Sequence, residues 1–106
     1  MATITGSEVL AQALRSQGAD TLFYLMGGPM LETEAACIKL GIRAIDTRHE
    51  QAAAHCADAY ARLTRNIGVA LVTAGPGVTD AVTGIANAHS ARSPVLLIGG
   101  AAPLGP

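Results

Sequence analysis

A chain of 106 residues, 50% of them hydrophobic, is long enough for one compact core and too short for two. Seven Lys and Arg stand against eight Asp and Glu, a net charge of -1, so there is no basic stripe to neutralise a phosphate backbone and nucleic acid is not expected as a partner. Met1 to Ser16 carry no basic leader ahead of an apolar core, and no apolar run reaches the roughly eighteen residues of a membrane span, so the expectation is a soluble, cytoplasmic protein with no membrane partner.

Helical periodicity comes first, over Ser7 to Gln17. Ser7 is the N-cap candidate, Val9, Leu10, Ala13 and Leu14 form one face, and Gly18 ends the helix. The apolar run TLFYL, Thr21 to Leu25, reads as the first strand and is followed by Met26-Gly27-Gly28-Pro29. A second helix, Leu31 to Leu40, stops at Gly41, and Arg43 to Asp46, with Ile42 ahead of them, form a second strand. The third helix is expected from about Arg48 to Leu63 and the third strand over Ile67 to Val72. A fourth helix from about Val78 to His89 and a fourth strand over Pro94 to Ile98 complete the pattern.

Strand and helix alternating with short links is the signature of an α/β fold: an open parallel sheet with helices on both faces and strands buried on both sides. Residues 1–106 read as a single domain. GGAAPLGP, Gly99 to Pro106, follows the fourth strand without a closing helix, as if the C-terminal part of the domain were missing from a longer polypeptide. Charged residues make up 14% of the chain, against about 25% in an ordinary soluble domain, so part of the surface is expected to lie against another domain or subunit.

Ligands of open parallel sheets sit beyond the carboxyl ends of the strands. Those ends carry Gly27-Gly28-Pro29, Asp46 to Glu50, Thr73-Ala74-Gly75-Pro76-Gly77 and Gly99-Gly100. Small residues let a flat ligand approach the backbone, and proline sets loop shape without donating an N–H.

Within these loops Glu50 has two readings. Thr47-x-x-Glu50 fits a capping box, in which both side chains serve the free N–H groups of a helix start. Alternatively, a carboxyl at the end of a buried strand, among alanine and glycine, is poorly solvated and can share a proton with a heterocyclic nitrogen. His49 and His55 do not complete a zinc site with Glu50, because six residues turn one histidine about 240° from the other on a helix, so no metal ligands are expected. Cys37 and Cys56, without CxxC spacing, read as reduced, buried thiols. The Gly75 loop joins strand to helix but lacks the Lys-Ser/Thr ending of a P-loop, which leaves a mononucleotide-binding module as a weaker rival.

Taken together, RHEQAAAHCADAYARLT, GVALVTAGPGVTDAVTGIANA and SPVLLIGG resemble the N-terminal pyrimidine-binding domain of thiamine diphosphate enzymes of the acetolactate synthase, benzaldehyde lyase, oxalyl-CoA decarboxylase and 2-hydroxyacyl-CoA lyase superfamily. The resemblance extends from Ile4 onward. It implies that Glu50 hydrogen-bonds N1′ of the cofactor's aminopyrimidine and is the catalytic residue. It further implies that Thr73, Gly75 and Pro76 lie against that ring, that Asp80 makes a polar contact, and that Gly28 and Pro29 border the substrate cavity. Many relatives have Asn where Asp80 stands, and a TGQ-like triplet where this chain has Gly99-Gly100-Ala101.

The GGPM loop, Gly27 to Met30, is more like the GIP loop of the acyl-CoA enzymes, which favours 2-hydroxyacyl-CoA lyase or oxalyl-CoA decarboxylase chemistry over an acetolactate synthase-like or benzaldehyde lyase-like carboligase. In the family, Mg2+ and the diphosphate are held by a GDG motif on a separate domain of a second subunit, and no GDG occurs here. The implied partners are therefore that domain, in a homo-oligomer, and a small 2-keto acid, aldehyde or acyl-CoA substrate. A non-catalytic dimerisation domain of the same fold is the alternative from another class.

Overall fold

The computed structural model describes residues 3–105. Four strands, β1 (Thr21–Tyr24), β2 (Arg43–Asp46), β3 (Gly68–Val72) and β4 (Val95–Gly99), form one parallel sheet in the order β2-β1-β3-β4. Five helices accompany them: α1 (Gly6–Ser16), α2 (Leu31–Lys39), α3 (Glu50–Thr64), α4 (Pro76–Asp80) and α5 (Val82–Ser90). Among the described residues no helix is long and apolar enough to cross a membrane.

Register explains which helix covers which face. Phe23 lies opposite Ile45 and Ala70, and Ala70 opposite Leu97, so these four side chains make one row across the sheet. That row packs on Ala53 and Ala57 of α3. One residue along each strand the side chains point the other way, as the two-residue period of a strand requires. Leu22, Val69 and Leu71 thus join Ala11 and Leu14 of α1 and Cys37 of α2 in the second core. Helices cover both faces, as the alternation of elements implies.

Several expectations need correction. β3 is buried along its whole length, but β2 and β4 are partly exposed because they end the sheet and have a neighbour on one side only. β1 stops at Tyr24, although the Leu25 N–H still donates to the Leu71 carbonyl. The N-cap of α1 is Thr5, not Ser7: Thr5 and Glu8 exchange the two hydrogen bonds of a capping box, and the Ser7 hydroxyl instead meets that of Thr33 on α2 at 3.0 Å.

The fourth expected helix begins earlier and is divided. Pro76 suits the first helical position because it needs no N–H partner there, so α4 starts at Pro76 and yields to α5 at Ala81. Cys37 is buried but Cys56 is only half-buried, and both are free thiols. Burial, and secondarily the Glu34 carboxyl, push the Cys37 thiol up.

α3 is tied to its surroundings by an ionic cluster built on one buried acid. Arg62 donates to both oxygens of Asp58, at 2.8 and 2.9 Å, and Asn87 of α5 adds a third bond at 2.8 Å. Asp58 is only 3% exposed, and the Arg62 fork holds its carboxyl down to about 2.

Candidate functional site

Strand order locates the place where a ligand can enter. From β1 the chain goes outward to β2 and then returns to pair β3 on the other side of β1, so the loops after β1 and β3 diverge from a crevice at their carboxyl ends. The two loops touch. A Cβ built on Gly27 would stand 2.1 Å from Cβ and Oγ1 of Thr73, so only glycine fits there. A Cβ on Gly77 would stand 2.8 Å from Cγ2 of Thr73 and 3.5 Å from Oε2 of Glu50. Gly27, Thr73, Gly77 and Glu50 therefore meet at one point from three different loops.

Glu50 is the first residue of α3 and is 8% exposed. Its helix is capped by His49, whose Nδ1 accepts the Gln51 N–H at 3.0 Å. Thr47 is not the cap. Its hydroxyl lies 3.0 Å from the Tyr24 carbonyl and 3.2 Å from that of His49, which fastens the end of β2 to β1. The capping-box reading of Thr47 and Glu50 thus fails, and Arg48, 90% exposed in its side chain, pairs with Asp46 instead. Among the described residues nothing donates a hydrogen bond to the Glu50 carboxyl, a buried acid with capacity to spare.

The remaining expected residues fall around this acid at different depths. Thr73 is half-buried, while Gly75, Pro76 and Asp80 are exposed at the start and end of α4. Gly75 has φ +65 and ψ -115, a left-handed backbone that turns the chain sharply into α4. Gly28 and Pro29 lie exposed in a short 3-10 turn, Gly28–Met30, and a Cβ on Gly28 would meet nothing within 4 Å. The end of β4 closes against that turn, because a Cβ on Gly100 would stand 2.9 Å from the Pro29 side chain.

His49, Glu50 and Asp80 each bring one nitrogen or oxygen to within 4.8 Å of the others. His55 is outside that group and its ring faces Gln51 at 3.4 Å. The tight contacts at Gly27 and Gly77 and the capping role of His49 escape sequence reasoning. The glycine pairs that follow Thr73 and precede Pro29 are the one signal that could have indicated the tight contacts.

Another buried acid, besides Glu50 and Asp58, lies on the α2 side of the sheet. Glu34 of α2 is 6% exposed, its Oε2 has no hydrogen-bond partner, and its carboxyl beside Tyr24 holds that phenol above the usual range. A surface depression of about 650 Å3 between α1 and α2 is lined by residues such as Ile4, Gln12 and Lys39 and by none of the groups around Glu50.

Residues 4–105 match the family model described as thiamine pyrophosphate enzyme, N-terminal TPP binding domain. Over 97 residues, 92% of the chain, it is 56% identical to 2-hydroxyacyl-CoA lyase 2 of Danio rerio and 54% identical to that of Homo sapiens, covering 16% and 15% of those proteins. It is 45% identical over 101 residues to the acetolactate synthase large subunit of Haemophilus influenzae, covering 94% of the chain and 18% of that subunit. The chain thus spans less than a fifth of the length of the curated relatives it matches. A parallel sheet whose carboxyl edge brings a buried, unpartnered acid against two glycine-tight loops agrees with that match, and the chain belongs to the thiamine pyrophosphate enzymes, as their N-terminal TPP binding domain.

Proposed function

We propose that this chain is the pyrimidine-binding part of a thiamine diphosphate-dependent carbon–carbon lyase acting on a 2-hydroxyacyl-CoA, with Glu50 as its catalytic acid–base. The observation that carries this reading is Glu50 itself, 8% exposed and without a donor among the described residues, at the crevice between β1 and β3. The residues around it fit a flat aminopyrimidine. Gly27 and Gly77 leave room where any Cβ would collide with Thr73, so backbone and the Thr73 methyl form a smooth wall beside the carboxyl.

Bound thiamine diphosphate supplies an acidic ring carbon and an electron sink for carbanion chemistry. The part of this chain is to hold the proton inventory. Glu50, poorly solvated, is placed to share a proton with a ring nitrogen rather than to sit fully hydrated. Thr73, Gly75 and Pro76 set the shape of the wall, and Asp80 sits at the rim, one helix away from its own strand. Mg2+ and the diphosphate belong, in this reading, to a second domain contributed by another subunit. The high identity to 2-hydroxyacyl-CoA lyase 2 favours acyl-CoA cleavage, and the acetolactate synthase relatives support carboligation as the second reading.

The test is Glu50→Gln in the complete polypeptide, with deuterium exchange at the cofactor's thiazolium C2 followed by proton NMR. A positioned acid–base contributes roughly a hundred- to ten-thousand-fold, so exchange should slow by that order. Exchange at the wild-type rate defeats the assignment.

A further inference from the structure

The start of α3 is held by a residue outside the usual set. Serine, threonine, aspartate and asparagine are the common N-caps, and Thr47 stands near enough in sequence to serve. Its hydroxyl lies instead 3.0 Å from the Tyr24 carbonyl, and the His49 ring takes the place, Nδ1 accepting the Gln51 N–H at 3.0 Å. Cap and acid are thus consecutive residues: His49 has an extended backbone, φ -157 and ψ 144, and Glu50 is the first helical residue. The His49 carbonyl also accepts the Ala53 N–H at 3.1 Å, so side chain and main chain of one residue close the first turn on either side of Glu50.

Little else secures the Glu50 side chain. Among the described residues no group donates to its carboxyl, and the adjacent wall is Gly77, where an added Cβ would stand 3.5 Å from Oε2. The direction of an unpartnered carboxyl is then set by the backbone that carries it, since the allowed rotamers follow φ and ψ. His49 is exposed, so its ring serves α3 through this bond and not through core packing. A ring nitrogen of His49 lies within 4.8 Å of an oxygen of Glu50 and of Asp80. Because Nδ1 accepts, the ring hydrogen is on Nε2, and the ring brings a donor to this acidic corner of the site.

We infer that His49 is a positioning residue for Glu50: by capping α3 through Nδ1 it fixes the backbone of the first turn and so holds the unpartnered carboxyl at the crevice. The inference rests on the reading of Glu50 as the acid–base of the site. A reacting group held by its supporting residues to within a fraction of an ångström keeps its rate, and one that wanders by about 1 Å loses much of it.

Amide hydrogen exchange, followed by mass spectrometry on the complete polypeptide without cofactor, tests the cap. In His49→Ala the Gln51 and Ala53 amides should exchange about tenfold faster, the effect of a lost N-cap, while Asp58 to Thr64, anchored through Arg62, should exchange as before. With cofactor bound, His49→Ala should slow deuterium exchange at C2 and kcat about tenfold or more and leave the KM for cofactor within about twofold. His49→Asn restores a capping oxygen and should return both readouts to near the wild-type values. Unchanged amide exchange in His49→Ala overturns the inference, and so does C2 exchange at the wild-type rate in a chain whose first turn has loosened. An Asn variant that re-forms the turn yet stays as slow as Ala also overturns it, because the ring would then act directly. Glu50→Gln separates this role from the reading beneath it. Wild-type C2 exchange in His49→Ala beside slow exchange in Glu50→Gln rejects the positioning role alone, whereas wild-type exchange in Glu50→Gln rejects both.

Discussion

At the scale of single residues, two buried acids of the same helix face opposite tasks. Asp58 is well partnered: two bonds from Arg62 and one from Asn87 engage both of its oxygens. Glu50, two turns earlier, is nearly as buried and receives none. The first arrangement stores stability and the second leaves a group free to exchange a proton, which is why Glu50 and not Asp58 is the candidate for chemistry. Asp58 lies at about 2 in the folded chain against an ordinary 3.8, so its contribution is present in full above 3.8 and is lost as pH falls through about 2. The shift corresponds to about 2 kcal/mol. Urea unfolding at neutral pH and again between about pH 4 and 2 should show that decline. In Asp58→Asn the decline over this range should shrink, with a lower midpoint at neutral pH. An unchanged acid limb would assign the acid sensitivity to other groups.

At the scale of elements, α3 is the part that aims Glu50, and it is held by close contact more than by bulk. Ala53, Ala54 and Ala57 are fully buried on its inner side. A Cβ on Gly68 of β3 would stand 2.0 Å from the Ala57 carbonyl oxygen, and one on Gly84 of α5 would stand 2.4 Å from Ala54 Cβ. Small residues on three elements let the helix settle deeply between β3 and α5, and a side chain at either glycine would lift it. Gly68→Ala is expected to cost about 1–3 kcal/mol by overpacking against backbone that cannot rotate away. Denaturant unfolding measures the cost, and because the displaced helix carries Glu50, cofactor C2 exchange should slow as well. Retained stability would mean that α3 shifts without penalty. The capping of the same helix shows how local patterns mislead. Thr47-x-x-Glu50 has the spacing of a capping box, yet β2 and β1 draw Thr47 to the Tyr24 carbonyl, and His49 takes the cap.

At the scale of the whole molecule, the proposed function gives the chain one wall of a cofactor site and little that could hold a diphosphate there. Glu50 and Asp80 stand at the crevice, and Arg48, the nearest cation in sequence, is paired with Asp46. A rim of carboxyl groups offers a diphosphate no cation to pair with. The 106-residue chain by itself should therefore show no calorimetric binding of thiamine diphosphate with Mg2+ at micromolar concentration. Micromolar affinity would contradict the division of the site between two domains. The exposed aliphatic side chains of Ile38, Val82 and Leu96, together with a low density of charge, agree with a domain that packs against other protein.

What the sequence determined by itself was periodic and local. Apolar runs of strand length, helices bounded by Gly18 and Gly41, and glycine-proline loops after the first and third strands are enough to specify a parallel α/β sheet and the edge expected to take a ligand. Glu50 was legible as a candidate because it follows the second strand at that same edge. The tertiary structure alone decided which groups touch across the chain: that Gly27 and Gly77 both close on Thr73, that Glu50 lacks the partners its neighbours in sequence offer, and that Thr47 goes to the Tyr24 carbonyl and leaves the cap of α3 to His49. Pattern along a chain records the period of an element and the residues that stop it. Contacts between residues far apart in the chain depend on strand order and on how closely helices approach the sheet, and no single segment carries either.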